Sequence, residues 1–462
     1  MSKAIHAKLL PLTLALLLAP ALAPAEDLLS AYEAARQSDP VLAGAQAQKL
    51  STEEGVSQAT AQLLPQISAS LGFDDSHGTS VSQNFYPDSS GNFVLVPSRA
   101  SSSGRSTTLQ GTLTQSILDF SKWTQRKAAR EQALRGDATY RSAEQDLLIR
   151  VATTYFAVLT AEDSLTFAQA EEKALARQLD QANQRYEVGL SAITDVNEAK
   201  AQHDSATAAV INAQNALDDA REALREITGK EPGELKRLRE QLPLQQPSPA
   251  DAEAWVQQAL EQNPTLVAQA HAVEAAKASV NTARSGHLPT LNASIVYQNS
   301  PDWTDNTGSR LPGSIHTNSE RSNTAIGLTL SVPLFSGGYT QSKVRQAVYD
   351  RDAAADSYEQ QKRAVIRATR NSYRAVIAGI SGVEARKQAV LSAKSALEAT
   401  QAGFEVGTRT IVDVLISQQQ LFQAQRDYSQ ARHDFVLNGL KLRQGAGTIE
   451  PKDLQEVNAL LE

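Results

Sequence analysis

No cysteine occurs among the 462 residues, the only methionine is the initiator, and aromatic side chains make up 5%. The missing cysteine removes disulfide frameworks, thiolate metal sites and cysteine nucleophiles together. Long apolar runs are also missing beyond the N-terminus, and the mean hydropathy of −0.34 excludes a bundle of membrane-spanning helices. Positive charge is in short supply. Lys and Arg number 44 against 51 Asp and Glu, a net charge of −7 with no basic block, which argues against a nucleic-acid partner. The seven histidines are scattered, without an H-E-x-x-H pair, and neither a G-x-S-x-G elbow nor a Walker loop is present. His203 falls on an apolar helical seam and is expected to pack there. The expectation is therefore a non-enzyme with no cofactor and no metal.

Residues 1–25 carry the marks of a secretory leader. Lys3 and Lys8 precede an apolar stretch from Leu9 to Leu18, too short to span a bilayer, and Ala23-Pro24-Ala25 is an A-x-A cleavage site. Cleavage leaves Glu26 first, so no cysteine is offered there for a lipid anchor.

The rest of the chain repeats itself. Asp39-Pro40 precedes Leu64-Pro65 by 25 residues, as Asn263-Pro264 precedes Leu288-Pro289. Tyr186-Glu187-Val188-Gly189, followed by Ile193 and Asp195-Val196, answers Phe404-Glu405-Val406-Gly407, followed by Ile411 and Asp413-Val414. Several such pairs in one order mean a duplicated unit, and two units are too few for a solenoid.

Each half has two textures. Ile67, Ala69, Leu71 and Phe73 alternate with polar residues, as do Leu109, Gly111 and Leu113, then Leu291, Ala293, Ile295 and Tyr297, then Ile326, Leu328, Leu330 and Val332. Period two predicts half-buried strands near 66–74, 107–118, 290–298 and 324–333. The Ser-, Asn- and Gly-rich segments 75–106 and 299–322 are expected to be exposed loops. The second texture is helical. Proline is absent between Pro97 and Pro232 and between Pro333 and Pro451. Val196, Ala199, His203, Ala206, Val210, Ala213, Leu217, Ala220, Leu224 and Ile227 keep a 3,4 spacing, repeated by Val414, Ser417, Leu421, Ala424, Tyr428, Ala431 and Phe435. A sustained 3.5 period predicts left-handed coiled-coil packing near 122–227 and 340–443. The fold class is thus α+β, internally duplicated. It comprises a first repeat 26–228, a linker 229–252 with Pro243, Pro247 and Pro249, a second repeat 253–444 and a tail 445–462, each half beginning with a helix.

Four strands cannot close a barrel, and a membrane-spanning sheet must close. If these strands enter a membrane, several chains must share them; three would supply twelve, enough for a lumen.

Leu-Leu-Pro-Gln at 63–66, Thr-Gln-Ser-Ile at 114–117, Gly-His-Leu-Pro-Thr-Leu at 286–291 and Val-Gly-Thr-Arg-Thr-Ile-Val-Asp-Val-Leu at 406–415 resemble the TolC family of outer-membrane efflux and type I secretion channels, over the whole chain from about residue 26. The resemblance implies a homotrimer in the outer membrane, in contact with its lipids. Its twelve-stranded barrel would continue into an α-helical tunnel through the periplasm. It also implies docking to a periplasmic adaptor (membrane fusion protein) and an inner-membrane ABC, RND or MFS transporter, which supplies the energy.

It further implies a closable tip at the two turns 188–194 and 406–410. Asp413 matches an aspartate ring at the constriction, where three like charges would raise one another's pKa and attract cations. An Asp favoured by the dipole at a helix start is the alternative, and Asp195 in the other half invites the same description. Ile416 stands where close relatives carry a second aspartate, so one acidic ring and an apolar ring are expected, with weaker cation block. Thr194 and Asp195 on one side, and Phe404 and Arg409 on the other, match the family's closed-state links. Phe404 replaces a Tyr and loses its hydroxyl bond, while Arg409 and Asp195 are expected to pair. Gly189 and Gly407 need positive φ, and with Thr408 they match the region where the adaptor docks. A periplasmic coiled-coil scaffold or adaptor is the alternative function. It accounts for the leader and heptads but not for four alternating strands in duplicate.

Overall fold

The computed structural model describes residues 25–308 and 313–462. The expected leader lies outside them, apart from Ala25. Element order repeats in two halves. The first is α1 (Leu28–Ser38), α2 (Pro40–Ala61), β1 (Gln66–Pro87), β2 (Phe93–Leu118), α3 (Phe120–Glu187) and α4 (Ile193–Thr228). The second is α5 (Ala252–Gln262), α6 (Pro264–Ser285), β3 (Thr290–Gly308), β4 (Ser314–Ser331), α7 (Tyr339–Glu405) and α8 (Ile411–Ala446), followed by α9 (Pro451–Asn458). Helices of 11, 22, 68 and 36 residues in the first half meet helices of 11, 22, 67 and 36 in the second.

Each half opens with two helices rather than the single one expected. The break falls at the Asp-Pro and Asn-Pro pairs. Proline is welcome at the first helical position, and a preceding Asp or Asn caps the exposed amides. Asp39 Oδ2 accepts from the Leu42 amide at 2.9 Å, and Asn263 Oδ1 accepts from the Thr265 and Leu266 amides at 3.1 and 3.2 Å.

The chain divides into two compact units. One holds the residues up to Ala43, Glu144–Ala259 and Ala368–Glu462. Its core includes Leu147, Val151, Tyr155, Phe156 and Leu159 of α3 and Leu28, Ala31 and Ala35 of α1, all buried. Tyr155 Oη donates to the Lys236 carbonyl at 2.9 Å and lies 3.1 Å from that of Glu26, and burial pushes its phenol up. The inter-repeat segment is tied at both sides, Glu26 bridging to Leu235 and Leu238 to Leu461. On α4 the expected seam is realised: Ala199, Ala206, Leu217 and Leu224 are buried. On α8 only Val414 of the expected seam is buried, and burial falls instead on neighbouring positions such as Leu415, Gln418, Ser429, His433 and Val436.

Two buried polar groups anchor this unit. Asp39, 4% exposed, takes a bidentate bond from Arg150 at 3.1 and 2.6 Å. That guanidinium holds its carboxyl below the usual carboxylate range. His433 sits against Phe156, its Nδ1 2.7 Å from Thr160 Oγ1, and burial pushes its pKa down to about 4.

The second unit comprises Gly44–Ala143 and Leu260–Arg367 and contains one antiparallel sheet in the order β1-β2-β3-β4. The segments expected to be loops are mostly strand. β1 and β2 stay paired from Gln66↔Thr114 to Pro87↔Phe93, and β3 and β4 from Thr290↔Ser331 to Thr307↔Ser314. The ladder needs only backbone groups, so it continues through Ser-, Gly- and Asn-rich sequence with few apolar residues outside the hairpin end.

Breaking the buried pair leaves an uncompensated charge. Asp39→Ala is expected to cost about 3 kcal/mol in unfolding measurements, and Asp39→Asn less, because Asn keeps the cap. For His433 the unfolded chain binds the proton that the fold excludes. Stability is expected to fall as pH drops from about 6.5 toward 4, and His433→Gln to flatten that slope in pH-resolved thermal unfolding.

Candidate membrane face and helix-tip site

The sheet has one face suited to lipid. Register places Ile67, Leu113, Ile295 and Ile326 in one row across four strands. Leu118, Leu291 and Leu330 form a row on one side, and Leu71 and Leu109 one on the other. Ile67, Phe73, Ile326 and Leu328 are 72–80% exposed. On β1 and β2, from the row of Leu118 to that of Phe73, the band would stand about 25 Å high at a tilt of ~40°, while on β3 and β4 Asn299, Ser322 and Glu320 end it sooner on that face. Tyr297 lies within the band on the row of Ala69 and Gly111, and Trp303 shares the row beyond it with Asp75 and Arg105, which approach at 3.7 Å. The opposite face carries Ser68, Ser70, Thr112, Thr114, Ser294, Gln298 and Thr329, suited to water. β1 and β4 are the open edges. One wet face, one greasy face and two open edges describe a share of a transmembrane barrel.

The second site is built at two helix turns. Gly189 and Gly407 have φ of +75° and +79°. The Leu190 amide donates to the Arg185 carbonyl and the Thr408 amide to that of Gly403, both at 2.8 Å. Gly189 and Gly407 donate to the Tyr186 and Phe404 carbonyls at 2.9 and 3.1 Å. Both turns are thus Schellman stops, which require a left-handed residue.

Asp413 is the third residue of α8. Its carboxylate accepts from the Thr410 amide and hydroxyl, both at 2.9 Å, and Thr410 Oγ1 caps the Asp413 amide at 3.2 Å. These bonds, with Arg409 nearby, hold its carboxyl below the usual range. Within one chain, then, Asp413 is a helix-start acid. Asp195 occupies the matching place in α4 and accepts from Ser191 Oγ at 2.8 Å. Within the single chain Asp195 and Arg409 have other partners. Arg409 instead donates its amide to the Gly403 carbonyl at 3.2 Å and lays its stem over Gly403. Thr408 Oγ1 donates to the same carbonyl at 3.0 Å. Thr194 and Ile416 are exposed.

Phe404 is where the tip helices meet. It packs on a cluster of Leu175 from α3, Ala206 from α4, and Ile411 and Leu415 from α8. The Arg185 guanidinium stands over its ring at 4.9 Å. Sequence reasoning missed Arg185 and Gly403. The only signal for either was the 218-residue offset, which makes them equivalent positions of the two turns.

The sheet and the paired long helices define an outer-membrane channel protomer. The outer membrane efflux protein family matches residues 31–230 and 255–448, and the chain belongs to this family. It is 38% identical to the outer membrane protein TolC of Vibrio cholerae over 95% of this chain and 94% of that one. It is 37% identical to the outer membrane protein TolC of Escherichia coli over 98% and 89%. A crystal structure of a membrane protein from Pseudomonas aeruginosa shares the fold with a TM-score of 0.73 at 16% identity, covering 92% of this chain and 91% of that one. The chain is an outer-membrane efflux and secretion channel, not an enzyme.

A Cβ on Gly403 would come within 2.7 Å of Arg409 Cγ. Gly403→Ala is therefore expected to loosen the second turn by about 1–3 kcal/mol, read as faster amide exchange across 404–412. Adding Arg409→Ala should restore slow exchange by removing the clash.

Proposed function

We propose that three copies close their sheets into a twelve-stranded barrel continuous with a periplasmic helical tunnel. Together they act as the exit duct for type I secretion or drug efflux. The observation that carries this reading is the four-stranded sheet with an apolar band and two open edges. Lipid offers backbone groups no partner, so each edge needs a neighbour's strand. The chain is organised as a leader 1–25, repeats 26–228 and 253–444, a linker 229–252 and a tail 445–462.

The helix turns form the periplasmic tip. Gly189, Gly407 and Thr408 present it to a periplasmic adaptor, which couples the duct to an inner-membrane ABC, RND or MFS transporter. Asp413 stands in a ring around the axis, where repulsion among three carboxylates opposes the local cap that keeps each one ionised. Ile416, one turn on, adds an apolar ring where a second acidic ring would strengthen cation binding. Thr194, Asp195, Phe404 and Arg409 hold the closed state. The absence of a hydroxyl on Phe404 leaves that state easier to open.

The purified protein in a planar bilayer should conduct and be only weakly blocked by hexammine cobalt(III) from the tip side. Ile416→Asp is expected to strengthen block about tenfold. Equal block in both proteins would remove Ile416 from the gate, and no conductance at all would remove the duct.

A further inference from the structure

The two strand-to-helix junctions are equivalent in sequence and unequal in cover. Leu113-Thr114-x-Ser116, followed by Phe120-Ser121, answers Leu328-Thr329-x-Ser331, followed by Phe335-Ser336, and Leu64-Pro65 before β1 answers Leu288-Pro289 before β3. Within the chain β2 pairs with β3 at Leu118↔Leu291, so the residues that follow β2 lie beside those that precede β3. The helices continue this contact, Thr282 Oγ1 of α6 reaching Thr124 Oγ1 of α3 at 2.8 Å. Phe120 and Leu288 at this inner junction are 45% and 42% exposed. Their counterparts at the two edges of the sheet, Phe335 and Leu64, are 91% and 57% exposed.

The outer junction is also built differently. At the inner one Asp119 caps α3, its Oδ1 accepting from the Ser121 amide at 2.9 Å. Leu334 takes that place in the second half and is 91% exposed. Gly337 and Gly338, with φ of +61° and +83°, then turn the chain into α7. A polar cap has given way to a second bare apolar side chain next to Phe335, an arrangement that water disfavours. At the other edge the turn before β1 is fixed in place. Gln115 Nε2 donates to the Leu63 carbonyl at 2.9 Å, and Gln66 Nε2 to that of Ala61 at 2.8 Å. Leu64 is thereby held at the surface.

We infer that the junction between copies repeats the one within the chain, Leu334 and Phe335 of one copy seating on Leu64 of the next. This rests on the trimeric barrel proposed above. Two features select a second copy over lipid as the occupant. β4 and β1 are the edges that neighbouring copies must join, so the residues after β4 and before β1 meet as those after β2 and before β3 do. The repeat also supplies the complement. The Leu-Pro turn that stands beside the end of β2 inside the chain occurs a second time, around Leu64, at the opposite edge of the sheet. Two different surfaces meeting head to tail close a ring when the rotation allows. Three copies then carry six like junctions, three within chains and three between them.

The cysteine-free chain allows a direct test. Full-length Leu64→Cys/Phe335→Cys protein is extracted in detergent, its particle mass is measured beside that of the unsubstituted protein, and a short bis-maleimide is added. Covalent dimers and trimers should form, and neither single variant should give them. Phe120→Cys/Leu288→Cys should link within one chain and run as a monomer once denatured. A trimeric particle whose inner pair links but whose outer pair does not would overturn the junction and leave the barrel standing. Capture of the thiol at position 335 by a maleimide-bearing lipid, without links between copies, would assign Leu334 and Phe335 to the bilayer and also overturn it. A monomeric particle of the unsubstituted protein would overturn the barrel and the junction with it.

Discussion

Everything in this molecule follows from where the backbone groups of β1 and β4 find their partners. Each edge strand offers a row of N–H and C=O groups, and the same strands carry Ile67, Phe73, Ile326 and Leu328 bare on one face. Water would satisfy the edges but not that face, and lipid would satisfy the face but not the edges. The closed ring of sheets we propose would satisfy both in a bilayer. The opposite face, with Ser68, Ser70, Thr112 and Thr114, suits water.

The helices obey a different economy. Alanine-rich seams on α4 let neighbouring helices approach closely, and the buried Asp39–Arg150 pair, the Tyr155 hydroxyl and His433 fix how the short segments seat against α3 and α8. At the turns the chain uses the same device twice: a glycine with positive φ, an amide returned to the carbonyl five residues earlier, and an Asp at the third position of the next helix. The two halves then diverge where the tip helices touch. Phe404 enters the apolar cluster beneath Arg185, while its counterpart Tyr186 is exposed. Duplication supplied the frame, and substitution made its two turns unequal.

Much of this was legible in the sequence because it is periodic. The 3,4 spacing picked out Ala199, Ala206, Leu217 and Leu224, and the period of two picked out Ile67, Leu71, Leu113 and Ile326. The duplication gave both turns and their glycines. What escaped had no period or no local signature. Most of the strand between 75 and 106 is Ser- and Gly-rich and looks like loop, its apolar residues Val81, Phe85 and Phe93–Val96 being confined to the hairpin end. The break between α1 and α2 was signalled by Asp39-Pro40, but its buried partner Arg150 lies 111 residues away. Arg185 and Phe404 are joined by the packing of four helices and by no motif. Within the single chain Ser191 bonds the Asp195 carboxylate and the Arg409 stem lies by Gly403, contacts that no motif announces.

The central claim is that the sheet edges are closed by other copies of the chain. It is tested most directly by the mass of the particle that detergent extracts from the outer-membrane fraction. The account requires a particle of three protomers, stable only while the barrel is shielded by detergent or lipid. A monomer or dimer released into water without detergent would mean that the apolar band is buried in protein, and the closed barrel would have to be abandoned.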